Sequence, residues 1–297
     1  MKTAVFGCNG YLGQHLVHYL LREKNDEITG FDLSEGYQGK DEIAYLRLDV
    51  TDNGAFERLT EGFDSIYYLT GLTGTDISMN RFEQFIDVNE LGLLRLLQRV
   101  RSFSRLPKIV FPSTRLVYKG VEGVALVEEA EKEFKTIYAS SKFNGEQYLQ
   151  MHRNLFGIDY TIFRVCVPYA NLVASGQSYG TVGFFLEKAR SGENISLFGD
   201  GNLRRTFTHV WDVCRQMVEV AGMPASNGGI YNIDGEDHSL KEVASVIAAK
   251  YNVGLSFQAW PETTLKLESG DTIFDAGRIR ALFPNTLTHT MEKWLYV

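Results

Sequence analysis

Short runs rich in Val, Ile, Phe and Tyr alternate with longer amphipathic stretches through the first half of the chain. The short runs predict strands at Lys2–Phe6, Glu27–Phe31, Ala44–Leu48, Ser65–Leu69, Lys108–Phe111 and Tyr160–Val165. The longer stretches predict helices at Tyr11–Arg22, Asn53–Thr60, Phe82–Phe103 and Tyr138–Phe156. In the third of these, Leu91, Leu94, Leu97 and Val100 recur every three residues, and Leu93 and Leu96 widen the stripe. Strand–helix alternation of this kind predicts an α/β fold of Rossmann type, a doubly wound parallel sheet with helices on both faces. Continuously apolar strands agree, because a sheet covered on both sides has no wet face.

Beyond Pro168 the texture changes. Asn171 to Gly180 is small and polar and reads as loop. After it the pattern predicts helices at Thr181–Arg190, Trp211–Ala221 and Leu240–Lys250, with strands at Ile195–Phe198 and Ile230–Ile233. The expected division is a dinucleotide-binding domain at 1–167 and a smaller C-terminal α/β substrate lobe at 168–297, interleaved with it. There is no internal repeat or long linker.

Composition narrows the class. Thirty basic against 37 acidic residues leave a net charge of -7, which argues against nucleic acid and anionic membrane as partners. No apolar run reaches the roughly 18 residues of a membrane span. Met1 to Phe6 reads as a strand and not as a signal peptide, and three scattered cysteines (Cys8, Cys166, Cys214) argue against a disulfide scaffold. A cytoplasmic enzyme or binding protein is expected. No His, Cys, Asp or Glu cluster has metal-ligand spacing, so no metal is expected.

Gly7-Cys8-Asn9-Gly10-Tyr11-Leu12-Gly13 joins the first strand to the first helix with G-x-x-G-x-x-G spacing. Glycines there permit a tight turn and let backbone approach a pyrophosphate at a helix N-terminus. Asp32 ends the second strand, where a carboxylate accepts from ribose hydroxyls and repels a 2′-phosphate, which favours NAD over NADP. Asp49, after the third strand, is placed to meet the adenine amine. Tyr138 and Lys142 lie four residues apart, on one helical face, where the ammonium favours a phenolate and makes Tyr138 a general acid or base. With 15 tyrosines and 28 glycines in the chain, such spacings arise by chance, and it is their placement that informs. Ser113 and Thr114 end a strand at the edge where open α/β sheets bind ligands.

Taken in order, these motifs resemble the extended short-chain dehydrogenase/reductases, specifically the NAD-dependent epimerase/dehydratase family acting on nucleotide sugars. The resemblance also takes in Asp49-Val50, Tyr68-Leu69-Thr70-Gly71, Val88-Asn89-Glu90-Leu91-Gly92, Val117-Tyr118, the run Gly199–Val213 and Tyr231-Asn232-Ile233. It implies Thr114, Tyr138 and Lys142 as the catalytic set. For the cofactor it implies Gly7, Asn9, Gly10, Tyr11, Leu12, Gly13, Asp32, Asp49, Val50, Leu69, Thr70 and Gly71, with Tyr138 and Lys142. For the substrate it implies Ser113, Thr114 and Arg205, the last on the diphosphate of the sugar nucleotide, with Arg204 adding positive charge. The helices Phe82–Phe103 and Tyr138–Phe156 resemble those that form a four-helix dimer interface in the family, which implies a homodimer.

Departures from the family pattern discriminate among its chemistries. Arg115-Leu116 stands where the 4,6-dehydratases carry Asp-Glu, which disfavours dehydration. Val167 replaces an Asn, and Ala170 a common glycine. The leading expectation is an NAD-dependent epimerase working through a transient 4-keto sugar. The alternatives are an NAD(P)H-dependent reductase of nucleotide 4-keto-6-deoxysugars and a non-catalytic NAD-binding regulator. His15, His209, Phe207 and Trp211 are expected to be structural.

Overall fold

A computed structural model describes residues 1–173 and 180–296. The stretch read as loop from Asn171 to Gly180 therefore lies mostly outside the described residues. Strands β1 (Lys2–Phe6), β2 (Glu27–Asp32), β3 (Ala44–Arg47), β4 (Ser65–Tyr68) and β5 (Lys108–Thr114) are followed by the short β6 (Ala125–Leu126) and by β7 (Tyr160–Val165). The C-terminal part supplies β8 (Val167–Tyr169), β9 (Ile195–Phe198), β10 (Arg204–His209), β11 (Gly229–Asn232), β12 (Glu236–Ser239), β13 (Leu255–Gln258) and β14 (Ile273–Phe274).

Seven strands form one sheet in the order β11-β7-β5-β4-β1-β2-β3, and every pairing in it is parallel. The chain winds outward from β1 through β2 to β3, then returns to the other side of β1 with β4. A crevice opens where the winding reverses, outside the carboxyl ends of β1 and β4. The last strand of this sheet, β11, comes from far along the chain and pairs with β7. Around the sheet, β8 and β10 run parallel, with β12 antiparallel on β10, in a small three-stranded sheet.

Alternate residues of β1 feed two cores. Val5 joins the layer containing Leu16 and Leu20, while Ala4 and Phe6 join the layer of Leu93, Leu97 and Phe111. Both faces are dry, which is why the strand has no polar alternation.

Two helical expectations change. The stretch Asn53–Thr60 forms only one 3-10 turn, Ala55–Arg58. The carboxylate of Asp52 accepts from the Gly54 amide at 2.8 Å and that of Asp49 from the Thr51 amide at 2.9 Å. These local bonds satisfy the backbone without an α-helix. Phe82–Phe103 is not one helix either. It divides into Phe82–Ile86, a π-helical turn Asp87–Leu91 and Gly92–Val100. Before it a short helix occupies Thr75–Asn80.

The helix Ile137–Phe156 carries Tyr138 and Lys142. Thr136 caps it, its hydroxyl accepting from the Ala139 amide at 3.1 Å, and Gly157 ends it at a φ of 72°. A buried ion pair fixes its middle. Both carboxylate oxygens of Glu146 accept from Arg164 of β7, at 3.0 and 2.6 Å. Arg164 also donates to the Tyr118 hydroxyl and to the Glu128 carbonyl, each at 2.7 Å, and Tyr118 donates to Asn232 of β11 at 2.7 Å. One network thus joins the helix, the sheet and the strand that arrives last.

Removing one partner of such a pair strands a buried charge. Arg164→Met should lower the unfolding free energy by about 3–5 kcal/mol, measured by urea denaturation. A loss well under 1 kcal/mol would show the network to be dispensable.

Candidate active site

Two adjoining cavities fill the crevice. One, of about 400 Å³, is lined by Gly10, Gly13, Ser113, Thr114, Tyr138 and Lys142 among others. The second, of about 380 Å³, is lined by Asn9, Asp32, Asp49, Val50 and Thr70. Gly7, Gly10, Leu69 and Gly71 border both, so the two form a continuous groove. A larger depression of about 660 Å³ lies over Leu94, Arg95 and His152 and shares no residue with the groove.

The glycine turn is tight by necessity. A Cβ at Gly13 would lie 2.0 Å from the Gly7 carbonyl oxygen, and Gly7 holds a φ of 77° with Thr70 N at 2.8 Å from where its Cβ would be. Gly10 precedes the helix Tyr11–Glu23 with no side chain capping its amides, so that helix end presents donors and partial positive charge toward the groove. Asp32 accepts from the Asn9 amide at 3.1 Å, tying the end of β2 to the turn. Asn9 lines the second cavity with its side chain already engaged by the protein. Its side chain donates to Gly36 O at 3.0 Å and accepts from Gln38 N at 2.8 Å. Tyr11 and Leu12 line the reactive cavity, and the Tyr11 hydroxyl donates to Ala170 O at 2.7 Å.

At the reactive end, Lys142 is buried and donates to the Pro112 carbonyl at 2.9 Å, with its ammonium 4.6 Å from the Phe111 ring centroid. Desolvation pushes its pKa down to about 8, against the opposing pull of Glu146. Tyr138 sits one turn earlier, with Phe85 edge-on to its ring at 6.4 Å. The Thr114 hydroxyl accepts from Leu116 N at 3.3 Å. Ser113 Oγ is buried, borders the cavity and has no hydrogen-bond partner in the protein. A buried hydroxyl left so is costly unless something else supplies the bond. A cradle closed to any Cβ, an uncapped helix end and an orphaned hydroxyl fit a bound dinucleotide.

One residue of the motifs named above gains a role only in the structure. Asn89, in the π-helical turn, accepts from Leu72 N at 2.7 Å and donates to Leu72 O at 3.0 Å. It thereby holds the Thr70–Leu72 loop across the groove. The motif Val88–Gly92 marks the position, but the contact with Leu72 depends on the π-turn geometry, which the sequence does not display.

The arginines expected at the substrate have partners within the protein. Arg205 lines neither cavity. It is buried, and its guanidinium pairs with Glu268 at 2.5 Å and donates to the carbonyls of Gly270 and Arg204 at 2.6 and 2.7 Å. Arg204 pairs with Asp237 at 2.9 Å, so it adds no unbalanced positive charge. Such partners lie far along the chain and leave no local signal.

The histidines have structural partners. His209 accepts from the Trp211 amide at 3.2 Å, stacks on His289 at 4.2 Å, and burial lowers its pKa to about 3. His15 meets Tyr11 O at 2.7 Å and accepts from Leu172 N at 2.9 Å. Ala170, in place of a glycine, carries the left-handed φ of 74°, and contacts from the first helix grip its turn.

A glycine-cradled groove at the switch point of a doubly wound sheet, with a Tyr–Lys pair at one end, defines a dinucleotide-binding α/β protein. The chain belongs to the NAD dependent epimerase/dehydratase family, whose profile matches residues 3–234. It is 28% identical over 258 residues to a UDP-glucose 4-epimerase of Mycolicibacterium smegmatis, covering 84% of this chain and 82% of that protein. It is 26% identical over 269 residues to a Streptomyces dTDP-4-dehydro-6-deoxy-D-allose reductase, covering 82% and 79%. The solved UDP-glucose 4-epimerase of Thermus thermophilus, in complex with NAD, superposes with a TM-score of 0.86 at 25% identity, covering 98% of this chain and 96% of that one. The family is one of NAD-dependent enzymes, and the fold and the cofactor class follow from membership.

Gly13→Ala tests the cradle. Because the added methyl collides with a backbone carbonyl, NAD affinity should fall at least about ten-fold, or about 1.4 kcal/mol, in a fluorescence titration. Unchanged affinity would mean the turn is not the pyrophosphate seat.

Proposed function

We propose that this enzyme inverts a hydroxyl-bearing carbon of a nucleotide sugar, C4, through a transient ketone. The observation that supports the reading is the convergence of Thr114, Tyr138 and Lys142 beside the glycine cradle, within one cavity. Bound NAD supplies a hydride acceptor that later returns the hydride. Tyr138 takes the hydroxyl proton as the carbon loses hydride, then gives it back after the ketone has presented its other face. Thr114 Oγ1 and Ser113 Oγ bind the reacting oxygen and its neighbour. Lys142, cationic, favours the ionised form of Tyr138 and binds the cofactor ribose. Asp32 accepts from the adenosine ribose and favours NAD over NADP, while Asp49 and Val50 meet the adenine. Leu69, Thr70 and Gly71 pass along the cofactor.

Reduction of a 4-keto sugar uses the same residues, and the likeness to the reductase supports it as the second reading. Dehydration is not proposed, because Arg115 and Leu116 after Thr114 offer no carboxyl for the proton transfers. No described helix is long and apolar enough to cross a membrane. A cytoplasmic homodimer is part of the proposal. Leu91, Met151, Leu155 and Phe156 are exposed apolar residues on the helices that would meet in it.

Tyr138→Phe should cut turnover by about 10²–10⁴-fold while NAD binding persists. Full activity on every sugar nucleotide would sink the catalytic assignment. With burial pushing its pKa down to about 8, Lys142 loses its charge as pH rises through that range. Its support for Tyr138 therefore fades as pH rises, and kcat should decline through that range. A rate that keeps climbing past it would exclude this role for Lys142.

A further inference from the structure

We propose that Glu90 is a positioning residue, whose carboxylate ties the helix Ile137–Phe156 to the π-helical turn Asp87–Leu91. It thereby sets where Lys142 and Tyr138 stand against the Thr70–Leu72 loop. The inference rests on the catalytic reading of those two residues given above.

Glu90 is 9% exposed and has no cation beside it. The ion pair of its turn joins Asp87 to Arg95, and Glu90 forms none among the described residues. Taking such a group out of water is costly unless hydrogen bonds replace its hydration. Three do, and all come from the catalytic helix. Ser141 Oγ donates to Oε1 at 2.8 Å, while Asn144 Nδ2 and the Tyr148 hydroxyl donate to Oε2 at 3.1 and 2.9 Å. Donors at 141, 144 and 148 lie along one face and span about two turns of the helix. Bonds to a carboxylate are stronger than those between neutral groups.

The anchored face adjoins the reactive one. Ser141 immediately precedes Lys142, and Glu146, one turn beyond Lys142, is held by Arg164 of β7. Two anchors on adjoining faces fix the rotation of the helix as well as its height.

The same turn also holds the loop. Asn89, the residue before Glu90, is bonded to both backbone groups of Leu72. Loop, turn and ammonium converge at Gly71, where an added Cβ would lie 3.1 Å from Asn89 Oδ1 and 3.7 Å from Lys142 Nζ. Adjacent residues of one turn thus grip the loop and the helix, so the gap between Lys142 and the loop is set across a single peptide link. Glu90 lines neither cavity of the groove and acts through the groups it holds. Misplacing reacting groups by about 1 Å can cost about 10²-fold in rate.

The test compares NAD-loaded wild type, Glu90→Leu, Glu90→Gln and Ser141→Ala. Kinetics use the nucleotide sugar that wild type converts, from a panel of UDP-, dTDP-, GDP- and CDP-hexoses, and hydrogen–deuterium exchange follows 137–142 and 70–72. Glu90→Leu should lower kcat about 10²-fold, with KM and NAD affinity within about three-fold of wild type. Exchange at 137–142 should rise about ten-fold while 70–72 stays protected. Glu90→Gln, whose amide can accept from Asn144 and Tyr148 and donate to Ser141, should keep kcat within about three-fold. Ser141→Ala removes one donor and should cost about three- to ten-fold in kcat; it keeps the comparison available if Glu90→Leu folds poorly. Wild-type kcat in Glu90→Leu, a loss shared equally by kcat, KM and NAD affinity, or equal damage from Glu90→Gln and Glu90→Leu would overturn the positioning role. If wild type converts no sugar, the catalytic reading falls. The exchange measurement still decides the tie, since equal exchange at 137–142 in wild type and Glu90→Leu would overturn it alone.

Discussion

An ammonium group buried where the helix Ile137–Phe156 meets the end of β5 is the constraint around which this structure is arranged. Lys142 gives up most of its hydration, and its compensation is a single carbonyl and the face of Phe111. That arrangement holds only if the helix cannot slide. The Thr136 cap sets its start, and the buried Glu146–Arg164 pair pins its centre to β7. Because Glu146 lies one turn beyond Lys142, the carboxylate that fixes the helix also moderates the lysine's loss of charge. Stability and chemistry are coupled through one residue.

The same economy governs the arginines. In a chain with a net charge of -7, several guanidinium groups meet acids of the protein itself. Arg164, Arg204 and Arg205 all have carboxylate partners within the protein. Arg115, beside Thr114, is the exception in this region, its guanidinium donating to the hydroxyls of Ser269 and Thr272.

Much of the fold is legible in the residues themselves. Strands β1, β2, β4 and β7 read cleanly because a sheet covered on both faces favours short runs rich in Val, Ile, Phe and Tyr, and the glycine turn reads because its backbone leaves no room for a Cβ. Tyr138, Lys142, Ser113, Thr114 and Asp32 all reach the groove. What is not legible depends on distant partners or on small changes of helical pitch. Leu91, Leu94, Leu97 and Val100 carry the periodicity of one long helix, yet a π-turn at Asp87–Leu91 breaks it and turns Asn89 toward the Leu72 backbone. Arg205 carries a recognisable motif, but its partner Glu268 lies 63 residues away and nothing near Arg205 announces it. Asn53–Thr60 has helical patterning that loses to carboxylate–amide turns only a few atoms long.

The central claim is that the Tyr138–Lys142 end of the groove oxidises and re-reduces one carbon of a nucleotide sugar. Incubating the purified protein with a panel of nucleotide sugars and 4-keto sugars, with and without added NAD(P)H, and following products by mass and NMR tests it most directly. The expected product is an isomer of unchanged mass, formed without net consumption of cofactor. A gain of two hydrogens with stoichiometric cofactor oxidation, or no conversion of any sugar by NAD-loaded protein, would contradict it.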